Sequence, residues 1–231
     1  ADRGLRWRQS GHGTPREQGG GDGGGLADGG PLDWKATYTM NNGDPDGNVW
    51  FVIYNVIDYV GWSAGSWSST DDGKYVVYDD TAPNIDSVVS LDGIFLYKAG
   101  DSVGVTLNFL ENVTLAGGNI NLPLNASGTA VAVIPGPQSG TQLTGSYVVA
   151  ANDEAAPLNV NGAVSLDGGA TLRDAAGNDV LLTIVTNLDA EGITVDGVAP
   201  KITSIAANPI TGYYNNGDSV NIDMELSEQV T

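Results

Sequence analysis

Apolar residues occupy every second position in several short segments of the chain. The clearest segment follows a Gly100-Asp101 turn, where the apolar residues at 103, 105, 107 and 109 alternate with small or polar ones. A period of two gives a strand one apolar and one polar face, which is typical of a half-buried β-strand. No segment shows sustained helical periodicity. The pattern therefore predicts an all-β protein.

The same pattern returns near the C-terminus. Residues 97–114 and 214–231 align without a gap, with Gly217-Asp218 in the place of Gly100-Asp101. Ala82-Pro83 recurs as Ala199-Pro200, so both matches are displaced by 117 residues. This displacement is the size of one β-sandwich domain. The spacing predicts one complete repeat with parts of two others beside it.

Four segments follow from these boundaries. Residues 1–30 are rich in Gly without periodicity and are predicted to be a disordered tail. Residues 31–81 are the later half of a repeat, 82–198 a complete repeat, and 199–231 the first strands of a further one. Short strands separated by turn residues predict antiparallel sandwiches. The strands are predicted at 34–40, 49–58, 74–78, 85–90, 102–114, 119–125, 129–134, 142–150, 158–165, 180–186 and 192–195.

The charge balance is strongly acidic. The chain has 28 acidic and 9 basic residues, a net charge of −19, and residues 1–30 are themselves neutral. Such a surface repels phosphate groups and anionic lipid, so we expect no nucleic-acid partner. No apolar run reaches the ~18 residues of a membrane span, so we expect no membrane insertion in this segment. A divalent-cation site and simple solubility in salt both remain compatible with the charge.

Residues with catalytic chemistry are scarce. The chain has no Cys, and its one His, His12, lies in the Gly-rich segment. Nucleophilic sites of the Ser-His-Asp and Cys-His kinds, and ordinary zinc sites, require those residues. The carboxylates lie in turns and not in an evident cleft. We therefore predict that the protein is not an enzyme.

Acidic turns are the candidate metal ligands, because Ca²⁺ binds six to eight oxygen atoms that often come from loops. The alternative is that Asp, Asn and Gly simply make turns here. The spacing does not match an EF-hand, since Val49 stands where that loop needs Gly. The candidate ligands are Asp44, Asp46, Asn48, Asp79, Asp80, Asp153, Glu154, Asp174, Asn178 and Asp196.

Four aromatic residues in the first partial repeat are the candidate binding face. Trp50, Tyr54, Trp62 and Trp67 are close in sequence, and exposed aromatic rings stack on sugars or on protein partners. Packing of these rings on a neighbouring module is the alternative.

The junctions resemble those of a known family. Asp80-Thr81-Ala82-Pro83, Asp196-Gly197-Val198-Ala199-Pro200 and Asp174-Ala175-Ala176-Gly177-Asn178 are similar to segments of bacterial Ig-like repeats. The resemblance covers roughly residues 33–231, although Gly197-Val198 replaces the usual Thr-Thr. It implies Ig-like antiparallel β-sandwiches in tandem, used as stalks or adhesive modules in large surface or secreted proteins, adhesins among them, often with Ca²⁺. Neighbouring repeats would then be the main partners.

These observations predict a non-catalytic structural or adhesive segment of a bacterial cell-surface or secreted protein. The competing hypothesis is a module that binds glycans or proteins through its aromatic face. The two partial repeats also raise the question of head-to-tail assembly. Counting strands argues against it, because neither part contains a counterpart of residues 119–134.

Overall fold

The computed structural model describes residues 4–9, 27–28, 34–35, 38–54, 56, 60–90, 95–188, 192–208 and 212–230. These residues form 18 strands and contain no α-helix, which confirms the all-β prediction. They divide into two compact units. Unit 1 comprises residues 1–83 and 173–180, and unit 2 comprises residues 84–172 and 181–231.

Unit 1 is organised around one strand that is apolar on both faces. This strand, β4, lies between two others in a three-stranded sheet of order β1-β4-β5, and β2 pairs with β3. The predicted strand at 34–40 is described only as β3, and residues 38–40 lie outside any strand. The strands are β1 (Gly4–Gln9), β2 (Ala27–Asp28), β3 (Trp34–Lys35), β4 (Gly47–Tyr54) and β5 (Val76–Tyr78).

The prediction of a disordered tail over 1–30 is wrong for its first described segment. β1 pairs antiparallel with β4, from Gly4 opposite Tyr54 to Gln9 opposite Val49. A short alternation of apolar and basic residues in this segment gives it a strand pattern, which the surrounding glycines obscure. Pairing also satisfies the backbone groups at an edge of β4. β2 likewise lies within the predicted tail, and the other tail residues lie outside the described part.

Unit 2 contains one large sheet and two smaller ones. The large sheet has the order β13-β9-β10-β11-β8-β6-β15, and β14 also pairs with β8; the smaller sheets are β12-β16-β7 and β17-β18. The strands are β6 (Asn84–Val89), β7 (Leu96–Lys98), β8 (Ser102–Ala116), β9 (Asn119–Pro123), β10 (Val131–Pro135), β11 (Gln138–Val148), β12 (Glu154–Ala155), β13 (Ser165–Leu166), β14 (Thr171–Asp174, of which residues 171–172 belong to this unit), β15 (Leu181–Thr186), β16 (Thr194–Asp196), β17 (Ile202–Asn208) and β18 (Asn221–Leu226).

The longest strand of the large sheet, β8, has neighbours on both edges. One edge pairs with β11, and the other pairs with β6. Its alternating side chains at Val103, Val105, Leu107 and Phe109 are at most 5% exposed. The period of two in the sequence therefore marks the face that forms the core, as predicted.

One glycine is required where the paired strands β10 and β11 lie close together. A Cβ atom on Gly145 in β11 would lie 2.1 Å from the carbonyl oxygen of Val133 in β10. No real Cβ atom tolerates that distance, so only glycine permits the contact between these strands.

Two strand pairings are parallel, which corrects the prediction of purely antiparallel sheets. β15 pairs parallel with β6, and β16 pairs parallel with β7. Each pair joins an early strand of unit 2 to a late one, so the connection is long enough for a parallel crossover. The predicted strand at 158–165 is also mostly absent: Val160 makes an isolated bridge to Leu124, and β13 begins only at Ser165.

The β17-β18 pair has the same register as the β6-β8 pair. Each of the three partner pairs of β6-β8 recurs in β17-β18 with a displacement of 117 residues. The burial differs sharply, since Met224 is 54% exposed whereas Leu107, its counterpart, is 0% exposed. The matching partners are Ser87–Asn108 and Ser204–Glu225, Val88–Leu107 and Ile205–Met224, and Val89–Thr106 and Ala206–Asp223.

Candidate functional site

Four aspartates close turns of one design. In each turn the Asp backbone N–H donates to the carbonyl oxygen three residues earlier, and that earlier residue's N–H donates back to the Asp carboxylate. The residue before the Asp has positive φ, which favours Gly or Asn. The four turns span residues 41–44, 98–101, 150–153 and 215–218.

Two of these turns share a further contact. The hydroxyl of Tyr38 donates to both carboxylate oxygens of Asp44 at 3.0 Å, and the hydroxyl of Tyr147 donates to the carboxylate of Asp153. In both cases the Tyr precedes the Asp by six residues. Both carboxylates are buried, so the hydroxyl and the turn N–H replace the water that each carboxylate has lost.

The Tyr147–Asp153 pair changes the pKa of both groups. Burial and the neighbouring carboxylate raise the pKa of the Tyr147 hydroxyl. Burial alone would raise the pKa of Asp153, but the donors Ser127, Tyr147 and the Ala150 N–H outweigh it, so the pKa lies below the usual value. The pair is thus held as a neutral hydroxyl donating to a carboxylate.

In unit 1, the candidate ligands around residue 80 form a hydrogen-bonded junction. Asp46 accepts from the Asp80 N–H at 2.9 Å and from the hydroxyl of Thr81, and the Thr81 contact is the largest cause of its lowered pKa. The Tyr78 hydroxyl lies within 3.1 Å of Asp80 and within 3.0 Å of the Asn41 carbonyl oxygen. These carboxylates therefore already serve as acceptors for the chain.

Asp174 closes a turn beside Asp79. It accepts from the N–H groups of Gly177 and Asn178, and from the Asn178 side-chain amide, which also donates to the Asp79 carbonyl oxygen at 3.1 Å. These hydrogen bonds outweigh burial and lower the Asp174 pKa. Carboxylate oxygens of Asp79 and Asp174 approach within 4.8 Å of each other. Two carboxylates this close can both offer an oxygen atom to one cation.

The remaining candidates are more separate. Asn48 lies in β4 opposite Val77. In unit 2, Glu154 stands directly opposite Asp196 in the β12-β16 pair, and the Asp196 carboxylate accepts from the Val198 N–H. Gly197 packs directly against the turn closed by Asp153. Its N–H donates to the Asp153 carbonyl oxygen, and a Cβ atom at this position would lie only 2.4 Å from the Ala150 carbonyl oxygen.

The four candidate aromatic residues all lie in unit 1. Trp50 and Tyr54 belong to β4, and Trp67 exchanges backbone hydrogen bonds with Ile53 of the same strand. Trp62 is 78% exposed and Trp67 is 55% exposed, whereas Tyr54 is half-buried. Sequence reasoning missed Tyr75, which is 71% exposed and comes directly before β5. Its position in a predicted strand hid its exposure.

Comparison of the chain with protein-family models, with characterised proteins and with solved structures gives no match. In the described part of the chain, no helix has the length and hydrophobicity needed to span a membrane.

Proposed function

We propose that the chain is a non-catalytic stalk or spacer segment, built of Ig-like sandwich repeats, from a bacterial cell-surface or secreted protein. Such a segment bears tension and holds other domains of the protein away from the cell surface. The parallel pairing of the early and late strands of unit 2 is the observation that carries this proposal.

Parallel pairing determines how a module responds to pulling. Residue 84 begins β6 and residue 196 ends β16, and β6 and β7 pair parallel with β15 and β16. Tension applied at the two ends pulls parallel neighbours lengthwise in opposite directions. The ladder hydrogen bonds then share the load, whereas an antiparallel pair would open one bond at a time. Such shear resistance suits a stalk.

The repeated local geometry also supports the proposal. The turns at 98–101 and 215–218 have the same hydrogen bonds, and the β6-β8 and β17-β18 pairs share the same register. The Tyr–Asp contact is present in both units, at 38–44 and at 147–153. A stalk needs this reuse of one design, because identical junctions give a regular array.

Single-molecule pulling of the chain between its termini tests the proposal. We expect one force peak for unit 2, with a contour length gain of about 35–40 nm, since residues 84–196 extend by ~3.3–3.6 Å each. Replacing Thr194 with Pro should lower that force, because its N–H donates to the Phe95 oxygen in the loaded ladder. Thr194→Val keeps the N–H and is the matched control. A featureless extension would contradict the stalk function.

The exposure of Trp62 and Trp67 favours a second function, the binding of glycans through the aromatic face of unit 1. Because these rings already lie at the surface, they can stack against the apolar face of a sugar without leaving the protein core. A glycan array with the wild type should then give signals that Trp62→Ala and Trp67→Ala each remove. Phe95→Ala, an equally exposed aromatic residue of unit 2, should leave them unchanged. An array without signal above background removes this candidate.

A further inference from the structure

Three Asn-Gly pairs occur in the chain, at residues 42–43, 161–162 and 216–217. In such a pair the side-chain amide can react with the main-chain nitrogen of the glycine, which no Cβ atom shields. The reaction requires that nitrogen to lie on the same side of the Asn Cα–C bond as the Asn Cβ atom. The backbone conformation around each pair therefore decides whether its asparagine is chemically stable.

Two of the pairs are held away from this geometry. Each lies at the centre of an Asp-closed turn, at 41–44 and at 215–218, where Gly43 and Gly217 have φ of +102° and +99°. Neither asparagine has a positive φ. A hydrogen-bonded turn with a negative φ at its first central residue and a positive φ at its second is of type II. Such a turn directs the glycine nitrogen away from the Asn Cβ atom.

Asn161-Gly162 lies where a strand pairing of unit 2 ends. The N–H of Asn161 donates to the Pro123 carbonyl oxygen at 2.8 Å, and Leu124 forms the neighbouring bridge with Val160. Pro123 has no N–H to donate to the Asn161 carbonyl oxygen, so the pairing stops here. The Gly162 N–H has no acceptor among the described residues, and both residues of the pair are exposed. This peptide group is therefore free to rotate toward the Asn161 side chain.

We propose that Asn161 is a site of spontaneous deamidation, and that the turns protect the other two Asn-Gly pairs. The Gly162 nitrogen forms a bond to Asn161 Cγ, loses its proton and displaces ammonia, which leaves a cyclic imide. Water then opens either C–N bond of the imide ring. The products carry aspartate, or isoaspartate, in which the main chain runs through the former side chain. The reaction consumes water, releases ammonia and involves no oxidation or reduction.

The position of Asn161 lets unit 2 tolerate both products. Its N–H lies on the N-terminal side of its Cα atom, so the hydrogen bond to Pro123 is kept. The isoaspartate form lengthens the main chain by one carbon atom at a point where pairing has already ended. Each event adds a negative charge to a chain whose net charge is already −19. Unit 2 therefore gains charge with age without unfolding.

Incubation of the purified chain at mildly alkaline pH, followed by peptide mass spectrometry, tests the proposal. Replacement of the amide by an acid should accumulate at Asn161, and a protein-isoaspartate methyltransferase should label the same peptide. Asn161→Gln should lose both signals, because ring closure through the longer side chain is much slower. In the native chain, Asn42 and Asn216 should react at least about tenfold more slowly than Asn161, because their turns must first lose hydrogen bonds.

The same chain unfolded in urea is the matched control, because urea removes the turns and leaves the sequence unchanged. The three asparagines should then react at similar rates, and those of Asn42 and Asn216 should rise by about tenfold or more. A native Asn42 or Asn216 that reacts as fast as Asn161 would overturn the proposal. So would an Asn161 that keeps its amide in the native chain and loses it only in urea.

Discussion

Single residues decide whether the strands of unit 2 fit together. Gly145→Ala should destabilise unit 2 by about 1–3 kcal/mol, because the added Cβ meets the Val133 carbonyl oxygen at 2.1 Å and the strands must separate. Gly128→Ala is the control, since a Cβ added there would have no atom within 4 Å and no positive φ is required. Urea unfolding of both variants measures the difference. Equal midpoints would show that β10 and β11 tolerate a wider spacing.

The buried Tyr147 hydroxyl supports the turn closed by Asp153. Tyr147→Phe removes a donor to a buried carboxylate and should cost about 1–3 kcal/mol of unfolding free energy. Thermal melting against the wild type measures this cost. Tyr75→Phe removes an exposed hydroxyl from the same residue type and should have no measurable effect. An equally small effect at both sites would mean that the Asp153 contact contributes nothing.

The same turn makes stability depend on pH. The Asp153 pKa is lowered in the folded protein, so the unfolded chain binds protons first on acidification. The stabilising contribution is complete above the unfolded value of about 4, and is lost as the pH falls through the folded pKa. Asp153→Asn should therefore flatten the acid side of the stability profile. A profile as steep as that of the wild type would assign the acid sensitivity to other carboxylates.

The two equivalent strand pairs, β6-β8 and β17-β18, show how far the stability of an element depends on its surroundings. Leu107→Ala should cost about 2–5 kcal/mol because the side chain is fully buried in the large sheet. Met224→Ala, the counterpart in β18, should cost less than about 0.5 kcal/mol because the side chain is half exposed. Denaturant unfolding compares the two directly. Similar losses would mean that the β17-β18 face is covered in solution.

For the molecule as a whole, the acidic charge leads to a prediction about the binding of Ca²⁺. Asp79 and Asp174 of unit 1 offer hard oxygen donors within 4.8 Å of each other. We expect EDTA to lower the melting temperature, excess Ca²⁺ to restore it, and Asp79→Asn to reduce both effects. Asp71→Asn, an exposed carboxylate elsewhere in unit 1, is the control. A melting temperature that neither EDTA nor Ca²⁺ changes would show that these carboxylates have a purely structural role.

The sequence predicted many of the residues of the candidate site, but it did not predict which groups they contact. The turns at Gly100-Asp101 and Gly217-Asp218 were predicted because their chemistry lies within four residues. The role of Asp46 was not, because its donors come from residue 80 and Thr81, more than thirty positions away. Spacing along the chain therefore identified Asp46 as a candidate metal ligand but not its hydrogen bonds to N–H and O–H groups of the fold.

Local pattern alone determined the all-β class, the core face of β8 and the repetition of one turn at residues 98–101 and 215–218. Each depends on side-chain alternation or on a short turn, and both are written in consecutive residues. The fold alone decided that β1 pairs with β4, that the early and late strands of unit 2 run parallel, and that one strand pair is buried while its copy is exposed. Those outcomes depend on which distant segments meet, and alternation makes a strand ready to pair without specifying its partner.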